Sequence, residues 1–216
     1  VDRRAVSVDA AYPTGFQLKS KTENGTDPIV EYFRKGSAAS RLSVADFDCA
    51  YFTRARHLHL TGVAAGLSPE SWELCAHAAR WMREQGKTIS FDPNIRPVLW
   101  RSEEEMVTKL NQLACMADWV MPGLKEGTQL TGCTHPEAIA DFYLASGVSL
   151  VVIKAGENGA FYKTAQGEHG TMPAILVPHV VDTVGAGDGF AVGVISALLE
   201  GLSVKEAVAR GNIIGA

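Results

Sequence analysis

The sequence predicts an α/β fold: a doubly wound, mainly parallel sheet with helices on both faces, preceded by a small antiparallel β unit. Three observations carry this expectation. From about Leu58, short apolar runs alternate with longer stretches of helical periodicity. Two of the apolar runs, residues 119–121 and 150–153, are continuous, as strands covered on both faces are. Residues 1–50 instead show brief alternating runs separated by turn-forming pairs. The chain therefore divides into a mainly β segment over 1–50 and an α/β core over 51–216.

In the first segment, alternation predicts strands at 5–8, 15–19 and 29–33, with Asn24-Gly25 and Asp27-Pro28 as turns. The core opens with a strand at 58–62. Ser68 then caps a helix with Pro69 at its first position; Trp72, Cys75, Ala79 and Met82 form its apolar face and Gly86 ends it. A strand at 88–91 follows. Ser102 with Glu105 three residues later reads as a capping box for a helix through Met106, Leu110 and Leu113. A helix over 136–146 separates the two continuous strands. The turn at 156–159 leads to a hairpin, a Gly-rich loop, a helix over about 187–200, and one more helix capped by Ser203. Ligands in such sheets bind beyond the carboxyl ends of the strands, and the informative loops all lie there.

Composition narrows the function classes. With 46% hydrophobic residues in 216, the chain can bury a large core. A net charge of −4 disfavours a nucleic-acid partner. The longest strongly apolar run, residues 190–199, is too short to span a bilayer, so no membrane partner is expected. Cys49, Cys75, Cys115 and Cys133 form no CxxC or CxH cluster, and reduced structural thiols in a cytoplasmic protein are expected. No metal-ligating cluster stands out.

The chemistry concentrates in the loop running from Asp182 through Thr183, Val184, Gly185, Ala186, Gly187 and Asp188 to Gly189. Three glycines at alternate positions remove the Cβ atoms that would block an anion. The first amides of the following helix carry the positive end of its dipole. Asp188 is the ionisable group within that electropositive loop, placed to accept a proton from an attacking hydroxyl. The same features suit a tight turn without a ligand, with Asp188 as an ordinary helix-start residue. A dinucleotide-dependent oxidoreductase is disfavoured because the spacing is G-x-G-x-G, not G-x-G-x-x-G, and the Walker pattern is absent.

Tyr32 and Arg34 fall on one face of a strand by its period of two. Arg96 follows a strand in a loop fixed by Pro93 and Pro97. Two guanidinium groups meeting in one pocket suit a carboxylate-bearing ligand, although each Arg alone reads equally as a solvated or ion-paired residue.

The loop over 182–190 resembles the second signature of the ribokinase-like (PfkB) carbohydrate kinases, and the likeness extends over nearly the whole chain. It implies a ribokinase-like fold whose early strands form a lid, and ATP with Mg²⁺ as cofactors. In that likeness Asp188 is the catalytic base, and the backbone of Gly185, Ala186 and Gly187 forms the anion hole. A monovalent cation is implied near Asp182 and Thr183. Tyr32, Arg34 and Arg96 resemble the acid-sugar contacts of the 2-keto-3-deoxygluconate kinases within the family. The implied reaction is phosphorylation of 2-dehydro-3-deoxy-D-gluconate to its 6-phosphate; fructokinases and 5-dehydro-2-deoxygluconokinases share much of the pattern. A non-catalytic nucleotide- or sugar-binding protein on the same fold is the alternative.

Residues 154–159 resemble the segment lining the nucleotide, with Lys154, Gly156 and Gly159 as candidate contacts; as plain chemistry they make a turn before a hairpin. Glu126 matches the Glu of the family's Asn-x-x-Glu, which is connected with the Mg²⁺ and phosphate network, but Gly123 replaces the Asn. The family's Gly-Gly-x-x-x-Asn acceptor motif and its adenine-facing segment have no counterpart here. The resemblance thus implies that parts of the fold at both termini lie outside residues 1–216. Pairing of the lid strands between subunits, and hence a homo-oligomer, is also implied.

Overall fold

The computed structural model describes residues 5–20, 29–178 and 183–216. The turns expected at Asn24-Gly25 and Asp27-Pro28, and Asp182 itself, lie outside the described residues. A two-stranded antiparallel sheet, β1 (Phe16–Lys19) and β2 (Val30–Phe33), forms the small unit. The strand expected at 5–8 is a loop instead. There the Asp9 carboxylate accepts the Ala11 and Tyr12 amides, and a side chain that satisfies the backbone locally competes with ladder pairing.

A short helix, α1 (Cys49–Thr53), leads into the main sheet. Its six strands are β3 (His57–Thr61), β4 (Thr88–Asp92), β5 (Trp119–Val120), β6 (Leu150–Lys154), β7 (Ala160–Thr164) and β8 (His169–Met172). The first four are parallel and the last two antiparallel, and spatial order follows chain order. Between the parallel strands lie α2 (Gly62–Ala65), α3 (Pro69–Glu84), α4 (Glu103–Ala114), α5 (Leu124–Thr131) and α6 (Pro136–Leu144). Steady progress across the sheet with right-handed crossovers puts these helices on one face. The second face is covered by α7 (Ala186–Leu199) and α8 (Val204–Ile214), which follow the sheet.

Two cores record this arrangement. Met82, Phe91, Leu110, Ile139, Val151 and Ile153 belong to the first, and Leu150, Val152, Phe190, Val194 and Val208 to the second. Alternate residues of β6 thus feed opposite cores, which is why its sequence is apolar without interruption. The reversal of strand order typical of doubly wound sheets does not occur among the described residues; the layers on both faces do.

Local signals hold with two adjustments. Ser68 and Ser71 cap α3 reciprocally. At α4 the Ser102 hydroxyl accepts the Glu105 amide, but the Glu105 carboxylate takes the Arg101 amide, so the expected box is displaced by one residue. The strand at Trp119 is two residues long, with Met121 beyond it. All four cysteines are free, and burial pushes the Cys75 thiol up to about 11, which makes it inert. Among the described residues no helix is long and apolar enough to cross a membrane.

Gly62 joins β3 to the loop after β4. A Cβ there would lie 2.0 Å from the Pro93 carbonyl oxygen. Gly62→Ala is therefore expected to push the 93–96 loop away and destabilise the fold by about 1–3 kcal/mol, read from the urea midpoint at unchanged m.

Candidate active site

Polar side chains gather at the carboxyl ends of the parallel strands. Asp92, the last residue of β4, is 2% exposed, and its Oδ2 lies 2.5 Å from Nζ of Lys154 at the end of β6. Burial pushes the Asp92 carboxyl up, opposed by the Lys154 ammonium and by the Asn94 amide, which donates to Oδ1 at 3.1 Å. Glu126 ties the neighbouring ends together: Oε1 accepts the Ile95 amide and Oε2 the Gly123 amide, both at 2.7 Å. Glu126 thus caps the start of α5 and also grips the loop after β4, which sequence alone does not indicate.

The 93–96 loop points two side chains in different directions. Asn94 adopts φ 38°, a left-handed conformation tolerated by Asn, and its amide nitrogen lies 3.3 Å from Oδ1 of Asp188. Arg96 turns toward the small sheet, where Nε donates to the Tyr32 hydroxyl at 3.3 Å. Arg34 stacks over the Tyr32 ring at 4.4 Å and donates to Gln17. Tyr32 and Arg34 share a half-buried face, and Phe16 and Phe33 stack on the opposite, exposed one. The three residues expected on the acceptor side thus meet at one point, and the loop bearing Arg96 also reaches Asp188.

The Gly-rich loop starts α7. Gly185 has φ 86°, which glycine adopts without strain, and its carbonyl accepts the first helical bond, from Gly189. Gly187 and Asp188 precede that bond, so their amides lack intrahelical partners. The Ala186 amide donates to the Thr183 carbonyl at 3.2 Å and is engaged in this conformation. A Cβ on Gly187 would lie 3.7 Å from Nζ of Lys154, which brings the ammonium to the mouth of the loop. Lys154 and the loop therefore come together.

Gly156 and Gly159 do something else. They close the turn between β6 and β7, where the Ala155 amide donates to the Gly159 carbonyl at 2.8 Å. A Cβ on Gly159 would lie 1.9 Å from the Met172 carbonyl oxygen. The turn reading accounts for both glycines.

A polar band lies beside the site on the second face of β3 and β4. His57 hydrogen-bonds Thr88 and Ser90, and His59 hydrogen-bonds the same Ser90 hydroxyl, each at 2.8 Å. Trp119 stacks on His57 at 4.8 Å. Burial, reinforced by His59, lowers the His57 pKa to about 4. His59 keeps an open edge, yet desolvation by its surroundings and then the Lys154 ammonium lower its pKa, against an upward pull from Asp188. Asp92, Asn94 and His59 are the residues the sequence reading did not single out. Asp92 and Asn94 flank Pro93 in the same loop that carries Arg96; the histidines carry no local signal beyond alternation in the strand.

These features match a known pattern along the whole chain: the pfkB family carbohydrate kinases, over residues 1–216. The chain belongs to the pfkB carbohydrate kinase family. It is 55% identical over 204 residues to the 2-dehydro-3-deoxygluconokinase of Bacillus subtilis (strain 168), covering 94% of this chain and 62% of that protein. A crystal structure of a PfkB protein from Polaromonas sp. JS666 superposes with TM-score 0.89 at 50% identity, covering 96% of this chain and 67% of the other. The fructokinase of Vibrio cholerae O395, crystallised with fructose, ADP and calcium ion, gives TM-score 0.87 at 26% identity, covering 100% and 70%. The chain thus spans somewhat under two thirds of the Bacillus subtilis relative's length, and the ribokinase-like fold expected from the sequence is present.

The low pKa of His57 has a thermodynamic consequence. Unfolded, its imidazole takes up a proton below about pH 6.5; folded, it stays neutral down to about 4. Acidification through that window therefore favours the unfolded chain. Thermal melts between pH 7 and 5 are expected to show a smaller loss of Tm in His57→Gln than in the unaltered protein.

Proposed function

We propose that this protein transfers the γ-phosphoryl group of ATP to a hydroxyl of a sugar acid, with 2-dehydro-3-deoxy-D-gluconate, converted to its 6-phosphate, as the favoured acceptor. One observation carries the reading. Arg34 and Arg96 converge on Tyr32, while Asn94 from the Arg96 loop touches Asp188. A carboxylate held by the arginines would extend its far hydroxyl toward that aspartate. The identity to the Bacillus subtilis kinase supports the same acceptor.

Each residue then has a task. The guanidinium groups and the Tyr32 hydroxyl bind the acid end by charge-assisted hydrogen bonds. Asp188 takes the proton as the hydroxyl attacks. The amides of Gly187 and Asp188 with the Lys154 ammonium stabilise charge on the transferred group, and Gly185 gives the loop its left-handed turn. Ala186 joins the anion hole if its amide leaves Thr183.

The cradle fits a phosphate, since no Cβ intrudes at Gly187 and a cation faces it. Among the described residues no cluster of three His, Cys, Asp or Glu could hold a metal. Mg²⁺ would therefore be held mainly by the nucleotide phosphates and water, where it neutralises phosphate charge. The monovalent cation expected by Asp182 lies outside the described residues. Lys154, Gly156, Gly159 and Glu126 remain the candidate nucleotide-side residues, with Glu126 acting by fixing the two loops it bonds. A neutral ketose is the second reading, favoured by the fructokinase neighbour.

ADP release measured over 2-keto-3-deoxygluconate, fructose, ribose and 5-dehydro-2-deoxygluconate tests the reading. Turnover is expected with the sugar acids first, and turnover with fructose alone would sink the acid-sugar assignment. Asp188→Asn is expected to lower kcat by about 10²–10⁴ while the protein stays folded. Arg34→Ala and Arg96→Ala should each raise KM for the acid sugar by roughly tenfold or more and leave a neutral sugar little changed.

We further infer a cytoplasmic homo-oligomer with the exposed Phe16, Leu18 and Phe33 face of the small sheet as its seam. Sedimentation equilibrium checks this: Leu18→Glu is expected to shift the population to monomer.

A further inference from the structure

Two side chains from the sheet reach the first turn of α7: Lys154 at Gly187 and Asn94 at Asp188. The second contact has a direction. A carboxylate oxygen can only accept, so the Asn94 amide group turns its nitrogen to Asp188 Oδ1, at 3.3 Å. Such separations are long before a site closes on its substrate and tighten in the complex. The contact leaves Oδ2 for the acceptor hydroxyl. Asp188 is exposed at the start of its helix, and an exposed carboxylate samples several rotamers unless something holds it.

The backbone of Asn94 is held in an uncommon conformation. Its φ of 38° is the one positive value among the described non-glycine residues. Asn tolerates this region better than most residues, but glycine adopts it without strain. A turn alone would be served by glycine. The conformation is imposed from both sides. Asp92 Oδ1 accepts the Asn94 amide at 3.1 Å, and Glu126 Oε1 accepts the Ile95 amide at 2.7 Å. Pro93 is buried with its carbonyl against Gly62, and Ile95 is buried in the first core. Strain that its surroundings over-determine points to a task for the side chain, and this side chain meets the base.

We propose that Asn94 is a positioning residue for the base: its amide holds Oδ1 of Asp188 so that Oδ2 faces the acceptor hydroxyl. The inference rests on the kinase reading above. The acceptor O–H bond breaks as its oxygen bonds the γ-phosphorus. The proton passes to Oδ2, and the β–γ P–O bond breaks with its electron pair leaving on ADP. Held in one rotamer, the carboxylate enters this step already ordered, so the gain falls on kcat. Asn94 touches the base and not the reacting atoms. The same braced loop carries Arg96 two residues on, at most about 7 Å further along the backbone. One rigid segment thereby sets the base in register with the point that binds the acid end.

Three measurements on the full chain test this role. Asn94→Gly relieves the strain and removes the contact. Its Tm should change little, because relieved strain offsets the extra freedom of the unfolded chain. Its kcat should fall about 10–100-fold, with KM for the sugar acid and for ATP unchanged. A kcat that stays level, a rise in KM for ATP without a fall in kcat, or a loss of kcat that merely tracks a collapse in Tm overturns the proposal. Asn94→Asp keeps the shape but sets a second carboxylate against Oδ1. Its kcat should lie below that of the glycine variant, and turnover equal to the unaltered enzyme overturns the proposal as well. The third measurement needs no turnover. In ¹H–¹⁵N spectra the Asn94 side-chain amide pair should shift in Asp188→Ala, and a pair that does not move removes the contact. Full kcat in Asn94→Gly beside an active unaltered enzyme leaves the kinase reading standing. No ADP release by the unaltered protein from any of the sugars removes that reading and this role with it.

Discussion

The site depends on one interaction, the ion pair between Asp92 and Lys154. A carboxylate 2% exposed at the end of a strand is costly to desolvate, and only a well-placed cation makes it tolerable. That requirement fixes Lys154 across the top of the sheet, and the fixed ammonium sets where an anion can sit in the Gly185–Gly187 loop. Such a pair contributes little net stability compared with an apolar replacement. Its value is positional: it joins the ends of two strands that are separated in the sheet by β5. Glu126 does the same for the two loops flanking that strand, using neutral amides as donors. The cleft is therefore a braced frame, with its bracing charges mostly paired before any ligand enters.

The sheet's asymmetry follows from the order of its strands. Because β3 to β6 advance in one direction, their crossover helices all cover one face and bury one apolar core there. The other face is covered by α7 and α8 over β5 to β8, so the β3 and β4 side of it stays polar, carrying His57, His59, Thr88 and Ser90. Strand residues on that side hydrogen-bond sideways where their counterparts elsewhere interlock with helices. A polar band beside the functional site is a consequence of topology, and α7 begins at the carboxyl end of the same sheet, where Asn94 and Lys154 meet its first turn.

Much of this was legible in the sequence, for identifiable reasons. Period-two alternation put Tyr32 and Arg34 on one face, and the stacking of Arg34 on Tyr32 follows from it. Continuous apolar runs marked the strand buried on both faces, and Ser-Pro at 68–69 marked a helix start that backbone hydrogen bonding demands. Failures came where short-range alternatives compete. At 5–8, Asp9 satisfies the backbone locally and no strand forms. At Ser102 the glutamate chose the amide one residue earlier. Long-range pairings were invisible: nothing in the local sequence says that Lys154 reaches Asp92, 62 residues away, or that Asn94 meets Asp188 across 94.

The mixed character of the candidate nucleotide-side residues illustrates how far a shared segment can mislead. Lys154, Gly156 and Gly159 are neighbours in sequence, yet the structure separates their jobs. The lysine side chain leaves its strand for the cleft, while the glycines serve the reversal into β7, where a Cβ on Gly159 would strike the Met172 carbonyl. A glycine kept for a turn and a lysine kept for charge respond to different constraints, one steric and local, the other electrostatic and set by Asp92. Substituting the glycines would therefore perturb the hairpin first and any nucleotide contact second. Substituting Lys154 would leave the strand intact but strand a buried carboxylate beside the very loop that has to accept more negative charge. The electrostatic constraint thus fixes what the site can bind, and the steric one the frame that presents it.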